Sequence, residues 1–158
     1  MESRPERAFR IADRRFPPFD GFAAFQYGGR WNSPGHSVIY AAETYPGALL
    51  ESLVYLGRAQ VPKPQVWIEV PIPPTIRIEY VPALQGWDDT GSKAARAFGD
   101  RWHQERRSLV LVVPSLAAAG QARNIIFNQE HPDFAQLKPS QAKPVNWMNV
   151  YSANRRYS

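Results

Sequence analysis

A short apolar strand that leads directly into a capped helix is the feature that most constrains the fold of this 158-residue chain. Residues 37–42 are apolar and β-branched near their start, which predicts a buried strand. Thr44 then suits a helix N-cap, and Pro46 is tolerated in the first turn. The helix is expected over about 45–56, with Gly57 ending it. The sequence therefore predicts a tight strand–helix unit.

The helix over 45–56 is expected to bury one apolar stripe. The stripe would consist of Leu49, Leu50, Leu53, Val54 and Leu56. At about 100° per residue, Glu51 and Tyr55 lie together on the other side of the helix. Periodicity alone therefore predicts that Glu51 is a solvated glutamate.

The rest of the chain alternates predicted strands with one further helix. Strands are expected over residues 8–11, 66–70, 76–81, 109–113 and 123–128, and a helix over 91–107. Prolines between 66–70 and 76–81 suggest a sheet edge or a bend, and 109–113 is the strongest candidate for a central strand. Residues 130–134 are predicted to form a turn, and the polar tail over 138–158 is left unassigned. Long β runs interleaved with two helices predict one α+β domain over residues 1–158.

Composition excludes several classes of site. The absence of cysteine removes disulfides, thiolate nucleophiles and the common structural zinc sites. His36, His103 and His131 are spaced too widely to indicate a metal site. No run of about 18 apolar residues occurs, and the amino terminus lacks the apolar stretch of a signal peptide, so we expect a cytoplasmic protein without a membrane segment. The net charge of +5 comes from scattered or paired arginines, which favours a mildly basic surface over a nucleic-acid footprint.

Several segments follow a known pattern, in order and at the expected intervals. They are Phe9-Arg-Ile, Gly28-Gly-Arg-Trp-Asn-Ser33, residues 38–44, Ala48-Leu-Leu-Glu51, Val113-Pro-Ser115 and residues 124–134. Through them the chain resembles the RES-domain toxins, a family named for its Arg, Glu and Ser. The resemblance spans about residues 8–135, and it is specific because it includes rare tryptophan, glycine and asparagine positions.

The resemblance implies a toxin of a bacterial toxin–antitoxin pair, with an ADP-ribosyltransferase-like core of mixed or antiparallel β-sheets and flanking helices. Such a toxin cleaves NAD at the bond between nicotinamide and ribose, by hydrolysis, phosphorolysis or ADP-ribosyl transfer to a protein acceptor. NAD is then the substrate, and no metal is expected. The usual partner is an antitoxin with a helix-turn-helix portion and a toxin-binding portion that blocks the active site. Contact with DNA would belong to that antitoxin.

Within the family pattern, Glu51, Arg30 and Tyr40 form the implied catalytic set. Glu51 would stabilise the positive charge that builds on ribose, as carboxylates do in glycoside cleavage. Arg30 or Arg10 would bind the pyrophosphate, and Tyr40 would stack on nicotinamide. Ser115 would bond the ligand or orient Glu51. It is not expected to be a covalent nucleophile, because no histidine base stands at a recognisable spacing.

Four further residues are weaker candidates for contacting NAD: Trp31, Asn32, Ser33 and Asn128. Trp31 is at least as consistent with packing, and residues 32–35 are consistent with a simple turn. Asn128 and His131 match family positions without an arguable role. The chain departs from the family at Tyr55, where many members have histidine, and in the tail from Pro144.

Two other functions stay open at this point. One is an RNA-cleaving or RNA-binding toxin, with His36 and His131 as acid and base. The other is a catalytically inactive domain that binds an antitoxin only. The sequence also leaves open the acceptor, the oligomeric state and the identity of the antitoxin.

Overall fold

The structure of this protein, a computed structural model, describes residues 3–56 and 64–147. These residues form seven strands, three α-helices and one 3-10 turn. In chain order they are β1 (Arg7–Asp13), α1 (Phe22–Tyr27), β2 (Val38–Ala42), α2 (Tyr45–Leu56), β3 (Gln65–Pro71), β4 (Ile78–Tyr80), α3 (Lys93–Glu105), β5 (Val110–Pro114), β6 (Arg123–Asn128), the 3-10 turn Phe134–Gln136 and β7 (Lys143–Pro144). None of the helices in these ranges is long and apolar enough to cross a membrane.

The seven strands form one sheet in the order β4-β5-β6-β2-β1-β3-β7. Neighbouring strands are antiparallel, except for the parallel pair β4 and β5. The predicted α+β class is confirmed. The proline-flanked β4 forms an edge of the sheet, and β5 is buried over Val110–Val113 as its apolar sequence predicts. The predicted bounds of α2 agree with the structure, although Gly57 lies outside the described residues.

Two elements were not predicted. Helix α1 has only six residues between Gly21 and Gly28, which is too short to show a helical period. Strand β7 has two residues and pairs with Val66 and Trp67 of β3. The unassigned tail therefore supplies the last strand of the sheet.

The sheet has two differently covered faces. On the loop face, strand residues such as Ala8, Ile39, Ile68 and Phe127 pack with Ile72, Ile76 and Leu137 from the connecting segments. On the helix face, strand residues such as Val38, Leu111, Val113 and Ile126 pack with Trp31 and with Ala95 and Trp102 of α3. Helix α2 covers the β1 part of the helix face, where Tyr45 contacts the ring of Phe9.

Helix α3 touches the turn around Trp31 with its backbone. The carbonyl group of Trp31 occupies the space where a β-carbon on Gly99 would stand. The rings of Trp31 and Phe98 meet edge to face, with centroids 6.5 Å apart. The turn that carries Arg30 is therefore fixed against α3.

The predicted apolar stripe of α2 is wrong at three of its positions, whereas Leu49 is half-buried. Leu50, Leu53 and Val54 are exposed, Val54 to 60%, whereas Glu51 turns toward the sheet. The rotation of the helix is set by tertiary contacts, because the ring of Tyr45 packs on Phe9 and Trp67 and the Glu51 carboxylate finds polar partners on the sheet. The side chains of Tyr55 and Leu56 lie outside the described residues.

Candidate active site

The carboxylate of Glu51 is held by two donors from the sheet. Ser115 Oγ donates to Glu51 Oε1 over 2.7 Å, and Asn124 Nδ2 donates to the same oxygen over 2.9 Å. No hydrogen bond reaches Oε2 from the described part of the chain. One carboxylate oxygen is thus fixed, and the other is available to a ligand.

The pairing of three strands brings these donors to Glu51. Asn124 of β6 lies opposite Val113 of β5 on one side and Ala42 of β2 on the other. Side chains two residues apart on a strand share a face, so Ser115 lies on the same face as Val113. The Thr44 hydroxyl accepts the backbone N–H of Gly47 over 3.0 Å, which confirms the predicted N-cap and starts α2 directly after β2.

Asn124 is a site residue that the sequence did not identify. It appeared there only as the first position of a family segment, with no role assigned. Its partner is 73 residues away in sequence. Only the strand pairing reveals the contact, although a polar residue at the start of an otherwise apolar strand was a weak signal.

Tyr40 lies on the helix face of the sheet, near Asn124. Its Cα partner is Ile126, one position along the same face from Asn124. The Tyr40 hydroxyl donates to Asn32 Oδ1 over 2.7 Å and accepts the N–H of Trp31 over 3.0 Å. Burial raises the pKa of this hydroxyl above its usual value of 10, so the phenol stays protonated. Tyr40 therefore anchors the turn that carries Arg30.

Arg30 points away from that turn toward the loop before α3. Its Nη1 donates to the carbonyl groups of Trp87 over 3.1 Å and Asp89 over 2.9 Å. In the described ranges no carboxylate forms an ion pair with it. Its charge is therefore positioned but not neutralised, which suits an anionic ligand.

Arg10 lies on the loop face, opposite Glu51. Its Cα partner is Ile68, a loop-face residue. Its guanidinium donates to the carbonyl groups of Pro18 over 2.9 Å and Tyr40 over 2.7 Å. Burial lowers the pKa of this guanidinium from its usual value to about 10, an effect that Asp20 partly offsets. Arg10 therefore meets the candidate Tyr40 only at its backbone carbonyl and lies on the opposite face of the sheet from Glu51.

The four weaker candidates make contacts within the protein. Asn32 is fully buried, and its Nδ2 donates to the carbonyl groups of Ala24 and Ser33. The Ser33 hydroxyl donates to Asp100 over 2.6 Å. Asn128 is also fully buried, and its Nδ2 donates to the carbonyl of His103 over 3.1 Å. Trp31 and Asn32 bind the Tyr40 hydroxyl, whereas Asn128 lies at the other end of β6 from Asn124.

A cleft of about 630 Å³ opens between the loop after β4 and the segment that joins β5 to β6. Trp87, Pro114 and Arg123 are among the residues that line it. Pro114 and Arg123 directly precede Ser115 and Asn124, and the carbonyl of Trp87 binds Arg30. Glu51, Tyr40 and Arg30 stand beside the cleft and outside its lining. The cleft therefore adjoins, along the chain, the segments that hold Glu51 and Arg30, and neither side chain lines it.

The histidines do not form a catalytic pair or a metal centre. His131 Nδ1 accepts the backbone N–H of Asp133, and His36 packs against the ring of His103. No hydrogen bond, ion pair or ring contact joins His36 to His131 in the described residues. The same residues contain no group of three or more histidines and carboxylates that could hold a metal ion.

Known proteins share both the sequence pattern and the fold. The "Prs ADP-ribosylating toxin" of Sphingobium sp. (strain YBL2) is 31% identical over 117 residues, which is 70% of this chain and 72% of that protein. The "Toxin Res" of Pseudomonas putida (strain ATCC 47054) is 32% identical over 126 residues, which is 78% of this chain and 86% of that protein. A chain of the M. tuberculosis MbcT-MbcA toxin–antitoxin complex shares the fold with a TM-score of 0.73 at 18% identity, over 89% of this chain and 84% of that chain. Residues 7–148 match the RES domain, and this chain belongs to the RES domain family.

Proposed function

We propose that this protein is the toxin of a toxin–antitoxin pair and that it cleaves NAD at the bond between nicotinamide and ribose. The observation that carries the proposal is the Glu51 carboxylate, whose Oε1 is fixed by Ser115 and Asn124 while no hydrogen bond from the described residues reaches Oε2. The ADP-ribosylating toxin among its relatives supports NAD as the substrate. NAD is consumed in this reaction and is not a resident cofactor.

Glu51 acts on the sugar. When the bond between ribose C1′ and the nicotinamide nitrogen breaks, the electron pair leaves with neutral nicotinamide and positive charge develops on the ribose. A carboxylate fixed next to C1′ stabilises that charge without reorganising during the reaction. Ser115 and Asn124 hold Oε1, so Oε2 is the oxygen that faces the sugar.

Arg30 and Tyr40 act on the two ends of the dinucleotide. Arg30 binds the pyrophosphate, because its charge lacks a carboxylate partner among the described residues and its orientation is fixed by two carbonyl groups. Tyr40 is only partly buried, which leaves ring area for the nicotinamide. Arg10 is left with a supporting role, in which it ties β2 to the segment around Pro18.

The acceptor is water, phosphate or a protein side chain. Each completes the reaction by bonding to C1′ and releasing a proton. Hydrolysis yields ADP-ribose, phosphorolysis yields its 1-phosphate, and transfer yields a modified protein. These products identify the acceptor directly.

The partner is an antitoxin that covers the site. Leu50, Leu53 and Val54 on α2 and Leu116 after Ser115 are exposed apolar side chains on the two segments that carry Glu51 and Ser115. Exposed apolar surface around a charged centre suits a protein that blocks it. The solved toxin–antitoxin complex with the same fold supports such a partner. The helix-turn-helix portion expected of the antitoxin would then contact DNA.

The deciding experiment measures nicotinamide release from NAD by the antitoxin-free protein, with and without phosphate. Glu51→Gln keeps the shape of the side chain and removes its charge, and Glu105→Gln on α3 serves as the control for an exposed glutamate. We expect the parent and Glu105→Gln to release nicotinamide and Glu51→Gln to lose at least about a hundredfold in rate. A folded parent that leaves NAD intact with every acceptor contradicts the proposal.

A further inference from the structure

Arg96 is a second cation beside the proposed site that has no assigned role. It lies on α3, is half-buried, and its Nε donates to the carbonyl of Gly29 over 3.0 Å. Within the described residues its two terminal nitrogens have no hydrogen bond and no ion pair. Gly29 directly precedes Arg30, so the Arg96 guanidinium contacts the turn from which the Arg30 side chain extends.

The backbone before α3 links the two arginines. The Asp89 carbonyl accepts Arg30 Nη1 over 2.9 Å and the N–H of Ser92 over 3.0 Å, and the Ser92 carbonyl accepts the N–H of Arg96 over 2.8 Å. Both positive charges also act on the Tyr40 hydroxyl. Burial is the largest influence on the pKa of the Tyr40 hydroxyl and raises it, while the positive charges of Arg96 and Arg30 act in the opposite direction. Asp100 also acts on this hydroxyl, but its carboxylate accepts the N–H and the hydroxyl of Ser33 over 2.8 and 2.6 Å. It forms no ion pair with either arginine.

Most other fixed arginines in the described part of the chain are neutralised. The pairs with carboxylates are Arg7–Glu69, Arg15–Asp13, Arg101–Glu105, Arg107–Glu79 and Arg123–Glu43. Arg30 and Arg96 instead bind backbone carbonyl groups without an ion pair, as Arg4 and Arg10 also do, but only Arg30 and Arg96 lie at the turn around Gly29. Two like charges held near one another and partly removed from water repel, and an anion between them relieves that repulsion.

We propose that Arg96 and Arg30 form a two-guanidinium site for the diphosphate group of a dinucleotide, with Arg96 as a binding residue. This inference rests on the proposed function, because it names the part of the substrate that the site holds. Arg96 presents its two terminal nitrogens, and Arg30 presents the nitrogens that its carbonyl contacts leave free. Planar guanidinium groups bind phosphate oxygens in bidentate fashion, so two of them match two linked phosphates.

The test uses binding as well as catalysis. ADP-ribose and inorganic pyrophosphate are titrated calorimetrically into the Glu51→Gln protein and into the same protein carrying Arg96→Gln, Arg96→Lys or Arg101→Gln. Arg101 is the matched control, because it lies on the same helix with a side chain 76% exposed. KM and kcat for NAD are measured for the same arginine variants in the protein that keeps Glu51.

We expect Arg96→Gln to lower the affinity for both ligands at least tenfold. We also expect it to reduce the salt dependence of binding. Arg101→Gln should stay within twofold of the parent. KM for NAD should rise more than kcat falls, because the interaction precedes bond cleavage. Arg96→Lys keeps the charge and a donor for Gly29, so its affinity should lie between those of the parent and Arg96→Gln even if the glutamine variant folds poorly.

The outcomes separate this inference from the proposed function. Nicotinamide release with unchanged KM in Arg96→Gln overturns the diphosphate site and leaves the NAD reaction standing. Binding of ADP-ribose that depends on Arg96, in a parent that releases no nicotinamide, keeps the site and overturns the reaction. Affinities of Arg96→Gln and Arg101→Gln that agree within twofold, or a parent that binds neither ligand, overturn the inference.

Discussion

Ser115 Oγ lies 2.7 Å from Glu51 Oε1 and donates its proton to that oxygen. The same serine oxygen accepts the backbone N–H of Ala118 over 3.2 Å. With its proton directed at a carboxylate, the serine is arranged to hold Glu51 and not to attack a substrate. We therefore infer that the serine at this family position orients the Glu51 carboxylate.

Removing this hydroxyl should slow catalysis. Ser115→Ala deletes one of two hydrogen bonds to a charged group, and such bonds contribute about 1.5–3 kcal/mol. We expect kcat to fall about ten- to a hundredfold, since each 1.36 kcal/mol corresponds to a tenfold change in rate. Steady-state nicotinamide release measures the change, with the exposed Thr90→Ala as control. A kcat within twofold of the parent would remove Ser115 from the mechanism.

Replacing Asn124 by aspartate should change the pH dependence of the reaction. The new carboxylate would stand about where the amide now lies, 2.9 Å from Glu51 Oε1. Two carboxylates at that distance share a proton, which raises the higher apparent pKa of the pair. The acidic limb of the pH–rate profile should therefore move to higher pH in Asn124→Asp. In Asn124→Ala the rate should fall without that shift, and equal profiles for both variants would argue against the contact.

Tyr40→Phe should destabilise the turn that carries Arg30. The substitution leaves Asn32 Oδ1 and the N–H of Trp31 without their partner. We expect the free energy of unfolding to fall by about 1–3 kcal/mol, as measured by urea denaturation. Tyr27→Phe is the control, because Tyr27 is 72% exposed. Equal losses in the two variants would contradict the buried hydroxyl network.

Gly99→Ala tests the contact between α3 and the same turn. A β-carbon at Gly99 collides with the carbonyl group of Trp31, whereas one at Gly91 meets nothing within 4 Å. Overpacking of this kind costs about 1–3 kcal/mol and sometimes more. Gly99→Ala should therefore unfold at clearly lower temperature than Gly91→Ala. Similar melting temperatures would show that α3 can shift without penalty.

His103 should make stability depend on pH. Burial lowers the pKa of this imidazole below its usual 6.5, the effect outweighing the nearby carboxylate of Glu130. Between the folded pKa and 6.5 the unfolded chain binds the proton and the folded chain does not, so unfolding becomes more favourable. The free energy of unfolding should be largest above about pH 7 and should fall as the pH drops through 6.5. His103→Gln should reduce the dependence of this free energy on pH below 6.5, as measured by urea denaturation at a series of pH values. An unchanged pH dependence would show that His103 is not the titrating group.

Sequence reasoning predicted the elements better than their orientation. Thr44 as the N-cap and Gly57 as the stop predicted the bounds of α2, because capping is a local property. The rotation of α2 was not predictable, since the partners of Glu51 are 64 and 73 residues away. Periodicity placed Leu50, Leu53 and Val54 inside and Glu51 outside, and the tertiary contacts reversed that arrangement.

The candidate site shows the same limit. The family resemblance grouped Arg10 with Arg30 and Glu51, but side chains on one strand alternate between faces. The pairing of Phe9 with Ala42 puts Phe9 on the helix face, and Arg10 therefore lies on the other face. Asn124 and Arg96 escaped notice for a related reason. Their contacts become visible only when the strands and α3 are assembled.

The distance along the chain between Glu51 and its two donors has a consequence for the moment of synthesis. Domains form from the amino terminus onward as the chain leaves the ribosome. Glu51 emerges 64 residues before Ser115 and 73 residues before Asn124. A nascent chain whose β6 has not yet left the ribosome therefore carries Glu51 without the Asn124 donor that helps to position it. Glu51 is therefore positioned only after β6 has left the ribosome, and a partner that covers this carboxylate has nothing to cover before that point.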